Sequence, residues 1–143
     1  MKFSIEVNLY LLDNTDLKDK VIAICDDSLI RGTVIEHAVR IVREAGARKV
    51  YYLLATPPIG IVNNGEKHGC LYGVDMPPEP PPEDEFAVRR YGDGTGSQKN
   101  IRQIEQATGA DRIVYITENG MFNALRRQKQ ETCYFCIGGP KPF

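Results

Sequence analysis

The chain has 143 residues, 42% apolar and 26% charged, which is the make-up of one globular domain with a small core. Its 18 basic and 19 acidic side chains nearly cancel to a formal net charge of -1, so it lacks the basic footprint that draws a domain to nucleic acid. The longest apolar run, Val50 to Ala55, is far shorter than the roughly 18 residues of a membrane span, and Glu6 interrupts the N-terminus before a signal-peptide core can form, so a soluble, cytoplasmic protein is expected.

In chain order, Phe3, Ile5, Val7 and Leu9 alternate with polar residues in the period-two pattern of a half-buried edge strand. After a polar turn, Val21-Ile22-Ala23-Ile24-Cys25 is short, apolar and bounded by charge, as expected of a strand buried on both faces of a parallel sheet. From Thr33 the spacing of Val34, Ala38, Ile41 and Val42 predicts an amphipathic helix ending at Ala45-Gly46. Val50 to Thr56 is another buried strand, stopped by Pro57-Pro58. Strand, helix and strand make one right-handed βαβ unit.

Residues 60–96 are expected to form a proline-rich surface excursion within a single domain over residues 1–143. Their cluster Pro77-Pro78-Glu79-Pro80-Pro81-Pro82-Glu83-Asp84-Glu85 favours polyproline II and builds no core. A second unit follows: a helix through Ile101, Ile104, Glu105 and Thr108 ending at Gly109, a strand Ile113 to Thr117, and a helix Met121 to Arg127. Arg89-Arg90 and Arg126-Arg127 read as solvated faces, and His37 and His68 as packing or surface residues without a chemical role.

The chemistry concentrates after the second strand, in Asp26-Asp27-Ser28-Leu29-Ile30-Arg31-Gly32-Thr33. Two adjacent carboxylates at the C-terminal end of a buried strand sit where open α/β sheets bind ligands. Their repulsion calls for a cation or several hydroxyl donors nearby, and a ribose diol and a magnesium ion both suit. The Ser28 and Thr33 hydroxyls, a flexible Gly32 and a helix start then make a phosphate cradle, where Arg31 can neutralise an anion. The same Asp-Asp-Ser string also suits a helix N-cap region, and a Walker A loop is excluded because its glycine spacing and lysine are absent.

These residues, with Cys25 before them, resemble the phosphoribosyl pyrophosphate (PRPP) motif of type I phosphoribosyltransferases. Three further pieces are similar to the C-terminal half of amidophosphoribosyltransferases, the glutamine-dependent enzymes that start purine synthesis. They are Arg43-Glu44-Ala45-Gly46-Ala47 with the following strand and Pro57-Pro58-Ile59, then Cys70-Leu71-Tyr72-Gly73-Val74-Asp75, then Cys133-Tyr134-Phe135-Cys136. The resemblance implies an α/β, parallel-sheet, Rossmann-like βαβ fold of the type I phosphoribosyltransferase kind, present in part. It also implies that Asp26 and Asp27 bind the ribose hydroxyls and Mg2+ of PRPP while Ser28, Leu29, Ile30, Arg31, Gly32 and Thr33 hold the 5'-phosphate. In that family an amine or ammonia displaces pyrophosphate at the anomeric carbon of the ribose.

The same resemblance makes Cys70, Cys133 and Cys136 ligands of a [4Fe–4S] cluster whose fourth cysteine comes from upstream. On their own, the cysteines of a chain without a secretory signal read as metal ligands or free thiols rather than a disulfide frame. A single CxxC is weak as a metal motif, and Cys25, placed in a core strand, cannot easily reach the C-terminal loop. The chain also departs from the family pattern. Val34 stands where a second threonine is usual, and residues 60–69 and the proline-rich region are longer. No segment corresponds to the pyrophosphate loop, the flexible lid or the glutaminase domain, whose nucleophile would be an N-terminal cysteine. The expectation is therefore a phosphoribosyltransferase-like part of a longer enzyme, either a homo-oligomer or lacking its N-terminal part and incomplete for catalysis. The alternative is a noncatalytic PRPP- or nucleotide-binding regulatory module, and a structural metal protein is a third reading.

Overall fold

The structure, a computed structural model, describes residues 16–73 and 75–142. The alternating segment from Phe3 to Leu9 lies outside the described residues. Strand β1 (Val21–Asp26) leads into helix α1 (Thr33–Glu44) and strand β2 (Lys49–Leu54), and β1 pairs parallel to β2 with Ile22 opposite Val50 and Asp26 opposite Leu54. A two-stranded hairpin, β3 (Val62–Asn63) and β4 (Glu66–Lys67), follows, then a 3-10 turn at Pro82–Asp84 and the short helix α2 (Ala87–Arg90). Helix α3 (Gln98–Thr108), strand β5 (Arg112–Tyr115) and helix α4 (Glu118–Leu125) complete the second unit, and the chain ends in two further 3-10 turns. The sheet order is β1-β2-β5, all parallel. Among the described residues no helix is long and apolar enough to cross a membrane.

The core lies on one face of this sheet. Register places Ile22, Ile24, Val50, Tyr52, Leu54 and Ile113 on that face, and they join the core with Ile35, Val39, Ile101 and Ile104 of the helices. The opposite face carries Val21, Leu53 and Val114, which are 45%, 36% and 46% exposed, and Cys25, also exposed. This corrects the expectation that β1 is buried on both faces and that Cys25 is a core residue. Among the described residues, strand β1 is paired on one side only, and α1 and α3, which touch each other, cover a single face. An apolar run thus reports that a strand belongs to a sheet, not how many layers cover it.

The long connection between β2 and β5 differs most from its sequence expectation. Asn64 and Gly65 both take positive φ, 49° and 80°, the combination a tight two-residue hairpin turn requires and the reason Asn-Gly is a strong hairpin signal. The proline run itself is half-buried to exposed, but Phe86, Ala87 and Val88 directly after it are at most 1% exposed and belong to the core. The neighbouring Arg89 is not a solvated residue either. Its side chain is 6% exposed, lies over the Phe86 ring at 4.5 Å, pairs with Glu85 at 3.0 Å and donates to the Pro78 carbonyl at 2.8 Å. Polyproline leaves its carbonyls without backbone partners, and a guanidinium placed underneath satisfies one of them. Arg126 and Arg127 are exposed, as expected.

Two polar side chains fix the frame. The carboxylate of Asp111 accepts from the backbone N–H of Val50 at 2.7 Å and pairs with Arg43, joining the C-terminal end of α1 to the start of the sheet. Asn100, fully buried, accepts from the Gly96 N–H at 2.9 Å and donates to the Val88 carbonyl at 2.9 Å, tying α3 to the segment that carries α2. Replacing Asn100 by Ala leaves the half-buried Gly96 N–H without this partner and the Val88 carbonyl with only the Gly94 N–H, and is expected to lower stability by about 1–2 kcal/mol in urea denaturation.

Candidate functional site

Residues 26–35 line an open depression of about 560 Å³ at the C-terminal end of β1, together with Tyr52, Glu83 and Asp84. All eight residues singled out in the 26–33 string are therefore brought to one place. Asp26 accepts from the Asp27 backbone N–H at 2.9 Å through one oxygen and from the Tyr52 hydroxyl at 2.6 Å through the other. Asp27 accepts from the Ser28 N–H at 2.8 Å. The donors that two neighbouring carboxylates call for are thus partly supplied by the protein, and the most buried of them, Tyr52, comes from the central strand. Burial, and then the hydrogen bond to Asp26, push the Tyr52 phenol well above its ordinary range, so it remains a neutral donor.

The start of α1 distinguishes the two roles open to the Asp-Asp-Ser string. The N-cap is Gly32, and no side chain caps the helix, so Asp26, Asp27 and Ser28 do not serve as caps. By helix geometry the first-turn N–H groups lack intrahelical partners, and Thr33, Val34 and Ile35 of that turn line the depression. Gly32 has φ of 90°, and a Cβ there would lie 2.7 Å from Cε2 of Tyr91. Tyr91 is itself anchored through its hydroxyl, which donates to Glu36 on α1. Glycine is needed at this position for its backbone conformation and for the closeness of the ring.

The loop is also held from the proline-rich side. The Ala87 N–H donates to the Ile30 carbonyl at 2.6 Å, and Arg90 donates to the carbonyls of Arg31 at 3.3 Å and Glu83 at 2.5 Å. Arg31 forms an ion pair with Asp84 at 3.3 Å and donates to the Asp75 carbonyl at 2.6 Å. Tyr52, Tyr91, Glu83 and Asp84 were not identified from sequence. Only Tyr52 left a trace there, since its place in β2 follows from the strand's alternation.

Cys70, Cys133 and Cys136 lie away from this depression. All four cysteines are free thiols. Burial pushes the Cys136 thiol up, and the nearby Cys70 and Cys133 push it further, which places these three in one neighbourhood. Cys70 also accepts from the Gly73 N–H at 3.0 Å. Among the described residues no group of three or more His, Cys, Asp or Glu side chains is arranged to hold a single metal ion. His68 is buried, its Nδ1 donating to the Phe135 carbonyl at 2.7 Å and its ring packing on the Phe135 ring, which is a packing role.

A parallel sheet covered by helices, with paired carboxylates at the end of its first strand and a glycine-started helix behind them, defines an α/β unit of the phosphoribosyltransferase kind. No family model matches the chain. It is 31% identical over 126 residues to the amidophosphoribosyltransferase of Synechococcus elongatus, a match taking in 88% of this chain and 22% of the relative. The amidophosphoribosyltransferase of Escherichia coli is 30% identical over 123 residues, 86% of this chain and 21% of the relative. Among solved structures, the glutamine phosphoribosylpyrophosphate amidotransferase from B. subtilis complexed with ADP and GMP superposes with a TM-score of 0.63 at 25% identity, over 88% of this chain and 24% of that one. A structure described as the allosteric regulatory enzyme of purine biosynthesis superposes with a TM-score of 0.67 at 25% identity, with the same coverage. The chain is thus homologous to one segment of amidophosphoribosyltransferases, and it spans about a fifth of the length of the curated relatives it matches.

Two substitutions probe the geometry. Tyr52→Phe removes the hydroxyl from Asp26 and is expected to lower stability by about 1 kcal/mol in chemical denaturation. Gly32→Ala is expected to lower it by about 1–2 kcal/mol from the left-handed backbone alone. Adding Tyr91→Ala to Gly32→Ala should relieve the steric clash but leave that backbone cost, and the two contributions separate in a double-mutant cycle.

Proposed function

We propose that this chain carries the ribose-phosphate site of an amidophosphoribosyltransferase and binds PRPP or a related nucleotide with Mg2+. The observation that supports this best is the gathering of residues 26–35 around one depression at the C-terminal end of a parallel strand, with the start of α1 left without a side-chain cap. In this reading Asp26 and Asp27 take the ribose hydroxyls. Ser28, Arg31 and Thr33 hold the 5'-phosphate together with the first N–H groups of α1, and the Leu29 and Ile30 backbone shapes the loop. Val34 brings no hydroxyl to the cradle, so phosphate binding relies on the backbone donors more than it would with threonine there.

The donor set fits magnesium. Mg2+ is usually held by one or two carboxylates with its remaining ligands from water and substrate phosphates, so Asp26 and Asp27 suffice without a third protein ligand. When bound, the metal would neutralise charge on the pyrophosphate leaving group. The chain's own residues do the positioning: Tyr52 orients Asp26, Ser28 orients Asp27, and the loop fixes the phosphate so that the anomeric carbon is presented for displacement. A [4Fe–4S] cluster needs four ligands, and Cys70, Cys133 and Cys136 offer three. Cys25, on the exposed sheet face, is not among the thiols that bear on Cys136. The fourth position of a cluster would therefore fall to a ligand other than these three thiols and Cys25, and no step of the chemistry above depends on it.

Isothermal titration of PRPP tests the reading, with and without magnesium, on the unaltered chain and on the Asp26→Asn, Asp27→Asn double variant. Heat that requires both the metal and the carboxylates is the expected result; equal binding by the double variant would remove these residues from the site. Pyrophosphate release with ammonia as the amine distinguishes a transferase from a module that only holds the ligand.

A further inference from the structure

We propose that Asp84 is an internal counter-anion of the phosphate loop, paired with Arg31, and that it sets the affinity of the depression for anionic ligands by surrendering Arg31 when a phosphate enters. The proposal rests on the ribose-phosphate reading and goes beyond it, because it assigns a tuning role to a residue of the proline-rich segment outside the 26–33 string.

The charge distribution motivates it. The depression is lined by four carboxylates, Asp26, Asp27, Glu83 and Asp84, and by one cation, Arg31. A ligand carrying phosphate and pyrophosphate groups therefore meets a net negative wall, with Arg31 as the one lining side chain of opposite charge among the described residues. Asp84 Oδ1 already sits 3.3 Å from Arg31 Nε. That contact lacks hydrogen-bond geometry, so Asp84 holds the guanidinium by charge alone, while Arg31 Nη2 donates to the Asp75 carbonyl at 2.6 Å. The pair is also open to water, with side chains 30% and 46% exposed, and exposed ion pairs are weak. A phosphate offers the guanidinium shorter, charge-assisted and bidentate bonds, so the exchange runs toward the ligand.

The backbone carrying Asp84 is fastened independently of its carboxylate. Ala87 is bonded to Ile30, and Arg90 to the carbonyls of Arg31 and Glu83. Arg89 holds Glu85 and the Pro78 carbonyl. The carboxylate can therefore release Arg31 while the segment stays in place over the loop, and the same fastening lets Asp84 be neutralised without unfolding it. The segment positions a competing anion at the phosphate end of the site, so that only a ligand with enough negative charge to displace it gains Arg31.

The test is calorimetric titration of the 143-residue chain and its Asp84→Asn, Asp84→Ser, Arg31→Ala and Asp84→Asn/Arg31→Ala variants. The probes are PRPP at fixed magnesium and ribose 5-phosphate without metal, and thermal unfolding confirms that each variant is folded. Both Asp84 variants should bind each probe about fivefold more tightly than the unaltered chain, the scale of a released surface ion pair. Arg31→Ala should bind more weakly, and the double variant should match Arg31→Ala, because the gain passes through Arg31. If the unaltered chain binds PRPP but the Asp84 variants bind equally or more weakly, or if the gain survives without Arg31, this role of Asp84 is overturned and the ribose-phosphate reading stands. If neither the unaltered chain nor the Asp84 variants bind either probe, both fall together.

Discussion

The hydrogen bond from the Tyr52 hydroxyl to Asp26 joins the chemistry of this protein to its core. Tyr52 lies in the middle strand, 2% exposed, with its ring packed on the covered face and its oxygen reaching the end of β1. A carboxylate beside another carboxylate is unfavourable unless donors hold it, and a phenol that burial keeps neutral is a donor that does not titrate away near neutral pH. The position of the candidate site follows from this contact. Register places Asp26 two residues beyond the tyrosine's partner Ile24 and so on the same face, and the strand can run no further into the core without burying charge.

A second constraint is the segment between β2 and β5. Its prolines cannot join a sheet, but the residues after them supply Phe86, Ala87 and Val88 to the core, and the arginines beside those residues bind the carbonyls that the proline-rich stretch and the phosphate loop leave free. The segment is thus a strap across the loop rather than an appendage. It brings Tyr91 against Gly32 and the acidic side chains Glu83 and Asp84 to the edge of the depression. The homology to amidophosphoribosyltransferases runs through this region as well as through the loop, since the matches cover 86% and 88% of the chain.

The three cysteines near the C-terminus illustrate how resemblance and geometry constrain each other. Spacing alone makes Cys133 and Cys136 a chelating pair, and the fold draws Cys70 into their neighbourhood. Three thiols satisfy neither a single-ion site among the described residues nor the four-ligand need of a cubane cluster.

The order β1-α1-β2 and α3-β5-α4, the ends of α1 and α3 at glycine, and the eight residues of the loop were legible in the sequence, because each depends on neighbours in the chain: apolar period, helix stops and a contiguous motif; the hairpin and α2 between the two units were not. The covering of one sheet face only among the described residues, the burial of Arg89, the hydroxyl of Tyr52 on Asp26 and the pairing of Asp84 with Arg31 were decided by tertiary structure. Each joins residues between 3 and 53 positions apart through packing or charge, or depends on how many layers surround a strand, and no local pattern of apolar and polar residues encodes those contacts.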